Sequence, residues 1–311
     1  MEAIVILVLG TIAVDTVINV ESMPYTGGIV GTDSEKKYAG GSSANVSAAL
    51  KVLGCDVRQA GAVADDEFGK FLMDDLDDIG VDTSAVVVRE NGVTLHTYIV
   101  VDRAGSNFII ANGGICRKDI AVKELPPEIL DDVDVFYTDM SWPETSIHLA
   151  RECRKNGIKV VYNLQNVPTE NSLETSAGID KMLSLSDLFI VSRTTLLKYE
   201  NTRSIEDALR SLTGAATLAE GAIVTLGDEG ASWYVDEECI HVPAFSGMDV
   251  VDTTGAGDAY IAGVIKSHFM GGRSRERSME FASRVASLKC SQRGPRLMDL
   301  DSERERSLLE L

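Results

Sequence analysis

"VDVFYTDMSWPETSIHLARECRKNGIKVVYNL", residues 133–164, places two short apolar runs on either side of a helix-length segment. Residues 133–138 and 159–164 have the length and apolar character of buried strands, and residues 144–157 carry a helix that stops at Gly157. The same alternation continues towards the C-terminus. Residues 187–192 predict a strand, and "SIEDALRSL" predicts a helix opened by Ser204 and Asp207 in a capping-box arrangement. Residues 222–227 predict another strand, and "ASWYV" and "CIHVP" pair as a hairpin around residues 236–238. Helices at about 256–270 and 276–290 close the core, and the charged tail "DLDSERERSLLEL" reads as a surface helix. Strands that alternate with helices in this way imply a mostly parallel sheet covered on both faces.

Towards the N-terminus, residues 3–9 are a continuous apolar run ending in Gly10, the pattern of a strand buried on both sides. A looser stretch follows. "GGSSANVSAALKVLG" then sets Val46, Ala49, Leu50 and Leu53 at helical spacing before Gly54, and a second helix carries Phe68, Phe71, Leu72, Leu76 and Ile79 before Gly80. "VTLHTYIVV" (93–101) and "NFIIA" (107–111), joined by "DRAGS", break the alternation. They predict a small separate sheet that serves as a lid or an interface, its strands drawn from about 11–40 and 93–115. No linker or repeat divides residues 1–311, so a single α/β domain is expected.

The formal charge of −19 argues against nonspecific nucleic-acid binding, because a phosphate backbone would be repelled. The acidic cluster "DDLDDIG" (74–80) reads as a solvated helix face. Cys55, Cys116, Cys153, Cys239 and Cys290 form no CxxC pair, which fits neither a zinc site nor a disulfide framework and favours a reducing compartment. No apolar stretch approaches the roughly 20 residues of a membrane span, and a cytoplasmic location is expected.

Chemistry concentrates in "VVDTTGAGDAY" (250–260). The apolar run after Asp258 predicts a buried helix starting near Ala256, and a helix N-terminus carries unpaired N–H groups and partial positive charge. Glycines there let a ligand approach the backbone, which makes an anion cradle suited to phosphate. Asp258 has two readings. It complements the helix dipole, or it is a general base held beside the anion site, positioned to take a proton from a hydroxyl that attacks a phosphoryl group. No GxxxxGK[ST] loop is present, and no GxGxxG follows the first strand.

With "AGGSSAN" (39–45) early, "AIVTLGDEGA" (222–231) in between and "VVDTTGAGDAY" late, the chain resembles the ribokinase-like (PfkB) family of carbohydrate kinases over its whole length. The late motif matches the family's DTxGAGD at every named position, and Gly40, Gly41 and Asn45 match its GG-xxx-N signature. The resemblance implies an ATP-dependent kinase with magnesium and potassium as further ligands, a sugar, sugar acid or nucleoside as acceptor, and a homodimer formed through the lid. It implies Asp258 as the base and the backbone of Gly255, Ala256 and Gly257 as the anion hole. Asp15, Gly41, Asn45 and Asn163 would bind the acceptor, and Thr225, Gly227 and Gly230 would border the nucleotide. Asp252, the backbone near Thr254 and Ser291 would hold a monovalent cation.

Plainer readings stand beside several of these residues. Asp15 is a turn residue at the carboxyl end of the first strand, Asn45 is a helix N-cap, and Tyr98 and Phe108 are core of the small sheet. The sequence also departs from the family. Ser192 and Thr195 stand where an N-x-x-E pair tied to magnesium is usual, and Ala64 replaces a glycine. "VVYNLQNVP" lacks the usual arginine, and Asn163 or Gln165 takes some of that space. A member that binds without transferring phosphate is the reading from another class; the missing pair favours it and Asp258 opposes it.

Overall fold

The computed structural model describes residues 4–104, 106–168, 175–214, 218–236, 238–298, 300 and 303–309. Ala3 of the first expected strand, Glu237 of the expected hairpin turn and residues 299, 301, 302, 310 and 311 of the tail lie outside them.

Among the described residues, seven strands run parallel. They are β1 (Val5–Leu9), β4 (Asp56–Ala64), β5 (Asp82–Arg89), β8 (Val133–Thr138), β9 (Lys159–Leu164), β10 (Leu188–Ser192) and β11 (Gly221–Thr225). An antiparallel hairpin of β12 (Ala231–Val235) and β13 (Glu238–Val242) extends the sheet, whose order is β13-β12-β11-β10-β9-β8-β1-β4-β5. Ile6, Leu7, Val8 and Leu9 are all fully buried, as a strand covered on both faces requires. Side chains alternate across a strand, so Ile6 and Val8 join one core and Leu7 and Leu9 the other.

The first core is closed by α1 (Ser42–Val52), α2 (Glu67–Asp78), and two later helices, Ala256–Val264 and Arg275–Cys290. The second is closed by α3 (Pro143–Asn156), α4 (Ser176–Leu185), α5 (Arg193–Tyr199) and α6 (Ile205–Thr213). The two later helices are α7 and α8, and α9 (Glu303–Leu308) follows in the tail. Gly263 lets α7 lie directly on α8, since a methyl group at 263 would meet the Cα of Ala282 at 2.6 Å. Beyond Val264 the helix widens into a π-turn over Ile265–Met270. Ser204 caps α6 by accepting the N–H of Asp207 at 3.1 Å, half of the expected capping box.

A second sheet has the order β3-β2-β6-β7, with β2 (Ala13–Val20), β3 (Thr32–Gly40), β6 (His96–Asp102) and β7 (Asn107–Asn112). The stretch between β1 and α1, which showed no clear periodicity, therefore supplies half of this sheet. Asp15 lies inside β2, opposite Tyr38 of β3 and Thr97 of β6, and not in a turn at the carboxyl end of β1. Every residue of β7 is exposed, Ile109 and Ile110 included. β4 and β5 belong to the main sheet, so the strand–helix alternation starts at β1 and is interrupted by the small sheet.

Candidate active site

Parallel strands put their carboxyl ends on one edge of the sheet, where open α/β folds form their clefts. Residues just past those ends here are Gly10 after β1, Asp139 after β8, Gln165 after β9 and Leu226 after β11. The strand β3 runs straight into α1 through Gly41, which has φ 86; a side chain at 41 would strike the backbone of residues 11–13. Gly41 is itself the N-cap of α1, so Asn45 sits inside that helix rather than capping it. That placement turns Ser42 and Asn45 towards the start of α7.

Asp258 lies in the first turn of α7 and is buried. Ser42 Oγ donates to its Oδ1 at 2.6 Å and Asn45 Nδ2 donates to its Oδ2 at 2.8 Å. Gln165 donates in turn to Ser42 Oγ, and Thr195 Oγ1 donates to the Gln165 carbonyl at 3.2 Å. Asn163 Nδ2 donates to the buried Tyr137 hydroxyl at 3.3 Å, and that hydroxyl is in turn hydrogen-bonded to Ser42. Burial pushes the Asp258 carboxyl up to about 6; Ser42 and Asn45 oppose the shift, while Asp139 and Asp15 add to it by charge. The early glycine motif and the late one thus meet on one carboxylate.

Beside it the chain opens a backbone cradle. Gly255 is the left-handed N-cap of α7, with φ 77, and no side chain caps this helix end. A Cβ at 255 would run into the carbonyl oxygen of Pro295, whereas one at Gly257 would meet nothing within 4 Å. The Ala256 N–H bends back to the Thr253 carbonyl at 3.1 Å, so it is engaged within the turn itself. An unblocked helix start, a close backbone turn and empty space over Gly257 fit a phosphate.

Asp139, which the sequence did not single out, organises the neighbouring wall. Its Oδ2 accepts from Thr11 N at 2.9 Å, Thr11 Oγ1 at 2.8 Å and Ser43 Oγ at 2.8 Å, and its Oδ1 accepts from Ser141 N at 2.9 Å. Gly10 is required beside it, since a methyl group there would collide with Ser43 and Asp139. Removing a buried carboxylate that satisfies four donors leaves those donors stranded. Asp139→Ala is expected to cost about 3–5 kcal/mol, read from urea unfolding at neutral pH; a loss under about 1 kcal/mol would contradict this role. A cavity of about 240 Å³ opens on the same wall, lined by Thr11, Asp139, Ser141, Trp142, Gln165 and Arg117.

Asp15 is held on the small sheet, in β2 between β3 and β6. Thr97 Oγ1 donates to it at 2.5 Å, and burial raises its pKa while the Arg296 guanidinium lowers it. Gly40 keeps space for this carboxylate, because a Cβ at 40 would touch Asp15 Oδ2. Buried Arg296 pairs with Asp75 of α2.

On the other side, Thr225 ends β11 in register with Ser192, and Gly227, with φ 68, opens a short turn. Gly230 has a fold reason of its own, since a side chain there would meet the Val242 carbonyl and Pro243. Ser192 caps α5 by accepting the Thr195 N–H at 3.0 Å and donates to Thr195 Oγ1 at 2.9 Å. These two hydroxyls are taken up by local hydrogen bonds, and neither position carries a carboxylate. Asp252 accepts the N–H of Thr254 and that of Gly294, each at 2.9 Å. Ser291 Oγ is folded onto the Leu288 carbonyl at 2.7 Å.

The model of the pfkB family of carbohydrate kinases matches residues 4–302. The chain belongs to that family. Like other pfkB-family proteins it is a phosphotransferase, built on the ribokinase-like fold. It is 28% identical to an ATP-dependent ribose-1-phosphate kinase of Halopiger xanaduensis over 94% of this chain and 93% of that protein. It is 31% identical to the aminoimidazole riboside kinase of Salmonella typhimurium over 75% and 74% of the two chains. The structure of Arabidopsis thaliana ribokinase complexed with ribose and ATP superposes with a TM-score of 0.83, covering 100% of this chain and 98% of that one at 23% identity. Among the described residues no helix is long and apolar enough to cross a membrane.

Proposed function

We propose that the protein is an ATP-dependent kinase that phosphorylates a hydroxymethyl group of a sugar, with a nucleoside as the second acceptor class. The observation that carries this reading is the buried carboxylate of Asp258 set against the open backbone cradle of Gly255–Gly257. Phosphoryl transfer asks a protein mainly for positioning and charge stabilisation. ATP supplies the phosphoryl group, with magnesium carried on its phosphates.

The chain's own residues do the rest. Asp258 accepts the proton of the acceptor hydroxyl, and Ser42 and Asn45 aim its two oxygens. The Gly255 and Gly257 amides receive the charge that builds on the transferring group. Asp15, steadied by Thr97, holds acceptor hydroxyls together with Gly41 and Asn45, and Asn163 braces the wall through Tyr137. Thr225 and Gly227 border the nucleotide. The small sheet covers the acceptor and keeps out water, the competing nucleophile. Its uncovered strand β7, with Phe108, Ile109 and Ile110 exposed, offers a second copy of the chain a surface for a dimer.

The test is acceptor-dependent ADP release across a panel of sugars, sugar phosphates, sugar acids and nucleosides with magnesium and ATP. Stimulation by at least one sugar or nucleoside is expected. Nucleotide binding without ADP release for any acceptor would make the protein a sensor instead.

The pH profile follows from the raised carboxyl. A base must be ionised, and Asp258 takes up a proton below about 6. Turnover is therefore expected to hold at neutral pH and to fall about tenfold per unit well below that value. A turnover that is flat from about pH 4.5 to 8 would contradict the assignment.

A further inference from the structure

Lys289 is the next-to-last residue of α8, and its side chain is fully buried, which lysine seldom tolerates without partners. Its Nζ donates to the Asp252 carbonyl at 2.8 Å and to the Gln292 carbonyl at 3.4 Å. Burial lowers the Lys289 pKa, and the charges of Asp252, Cys290 and Asp258 oppose that shift, the Asp252 carboxylate most strongly. This is the location at which the family resemblance implied a monovalent cation. A potassium ion does not fit beside these groups. The ammonium already uses carbonyl oxygens of the kind that would hold it, the Asp252 carboxylate is bound by two N–H groups, and Ser291 is turned onto its own helix.

The surrounding contacts reach the anion cradle. The N–H groups of Val251 and Asp252 both donate to the Cys290 carbonyl, at 2.7 and 3.0 Å, and Gly294 N binds Asp252. Pro295, next along, is the residue against which Gly255 turns. A positive charge at Nζ therefore braces the two loops that shape the cradle, at the end of α8 where the helix dipole favours a cation.

We propose that the Lys289 ammonium is a built-in monovalent cation, so that this enzyme assembles its anion site without free potassium. An ammonium and a potassium ion are close in size and charge and both are held by carbonyl oxygens, so one can replace the other here. The inference concerns the site proposed above and rests on the kinase reading only for its turnover measurement. Melting temperature and ADP affinity read it independently of any acceptor.

The experiment compares the wild-type protein and Lys289→Ala in potassium chloride, sodium chloride and tetramethylammonium chloride at equal ionic strength. Wild-type melting temperature is expected to be the same in the three salts, and ADP affinity and, once an acceptor is found, turnover to agree within about twofold. Lys289→Ala is expected to lose about tenfold or more in ADP affinity in tetramethylammonium and to recover most of it in potassium. Potassium activation or tighter ADP binding of about tenfold in the wild type would overturn the proposal. So would a Lys289→Ala protein that binds ADP normally in tetramethylammonium, or a loss that potassium fails to restore, which would leave Lys289 a packing role. If Lys289→Ala does not fold, Lys289→Met keeps the apolar stem and is read in the same way, and the wild-type salt comparison still decides.

Discussion

Asp258→Asn is expected to lose about 10²–10⁴ in turnover while it binds nucleotide and acceptor within a few-fold of wild type. The substitution keeps the shape of the side chain and removes only its ability to take a proton. Its amide oxygen can accept from Asn45, and its amide nitrogen can donate to Ser42, whose hydroxyl has lone pairs to spare. Turnover within a few-fold of wild type would refute the assignment of the base.

The same variant carries a second signature. A carboxyl whose folded pKa is raised from 3.8 to about 6 binds its proton more tightly in the native state. Its favourable contribution to stability is therefore complete below pH about 4 and is lost as pH rises through about 6. An asparagine is neutral throughout. At pH 8 Asp258→Asn should thus be more stable than wild type, by up to about 3 kcal/mol for two pKa units, and the gap should close towards pH 4. Urea titrations at the two pH values check this. Lower stability of the variant at pH 8 would mean that the carboxylate is held there by favourable contacts rather than at a cost.

The two glycines of the cradle should fail in different ways. Gly255→Ala must place a methyl group at a left-handed φ and against the Pro295 carbonyl, where backbone leaves no room to yield. A loss of about 2–4 kcal/mol in stability is expected, together with most of the activity. Gly257→Ala has open space around its Cβ and a helical position in which alanine is the better residue. Its melting temperature should be unchanged or higher, yet turnover should fall by about tenfold or more because the methyl group occupies space left for the transferring phosphoryl. Equal turnover in Gly257→Ala and wild type would remove the phosphate from that turn. A stable Gly255→Ala would show that the turn is not needed in its present form.

Much of this arrangement is legible in the chain. β8, β9 and β12 have the bounds that their apolar runs predict, because buried strands of parallel sheets carry little else. β4 escapes such a reading. Its "DVRQAGAVA" is rich in alanine and glycine and holds a buried Gln59, so neither periodicity nor strand propensity marks it. β3 is polar over most of its length because it lies at the edge of the small sheet and faces solvent.

The site divides in the same way. Asp258, Asn45 and Gly41 stand in short motifs and are visible as such. Ser42 bonds a partner 216 positions away, and Asp139 gathers donors from residues 11 and 43, so only the folded chain brings them together. Lys289 looks like any solvated lysine near a helix end, and its burial is set by loops that no local pattern describes. Gln165 lies in a segment the sequence did single out, but its bond to Ser42 depends on where β9 ends beside α1.

The central claim is that the opening turn of α7 receives the transferring phosphoryl group next to Asp258. A crystal structure with ADP, magnesium and aluminium fluoride tests it most directly. The fluoride group should lie within hydrogen-bond reach of the Gly255 and Gly257 amides, on the side of the turn that faces the Asp258 carboxylate. A fluoride group bound elsewhere, with that turn contacting only solvent, would contradict the account.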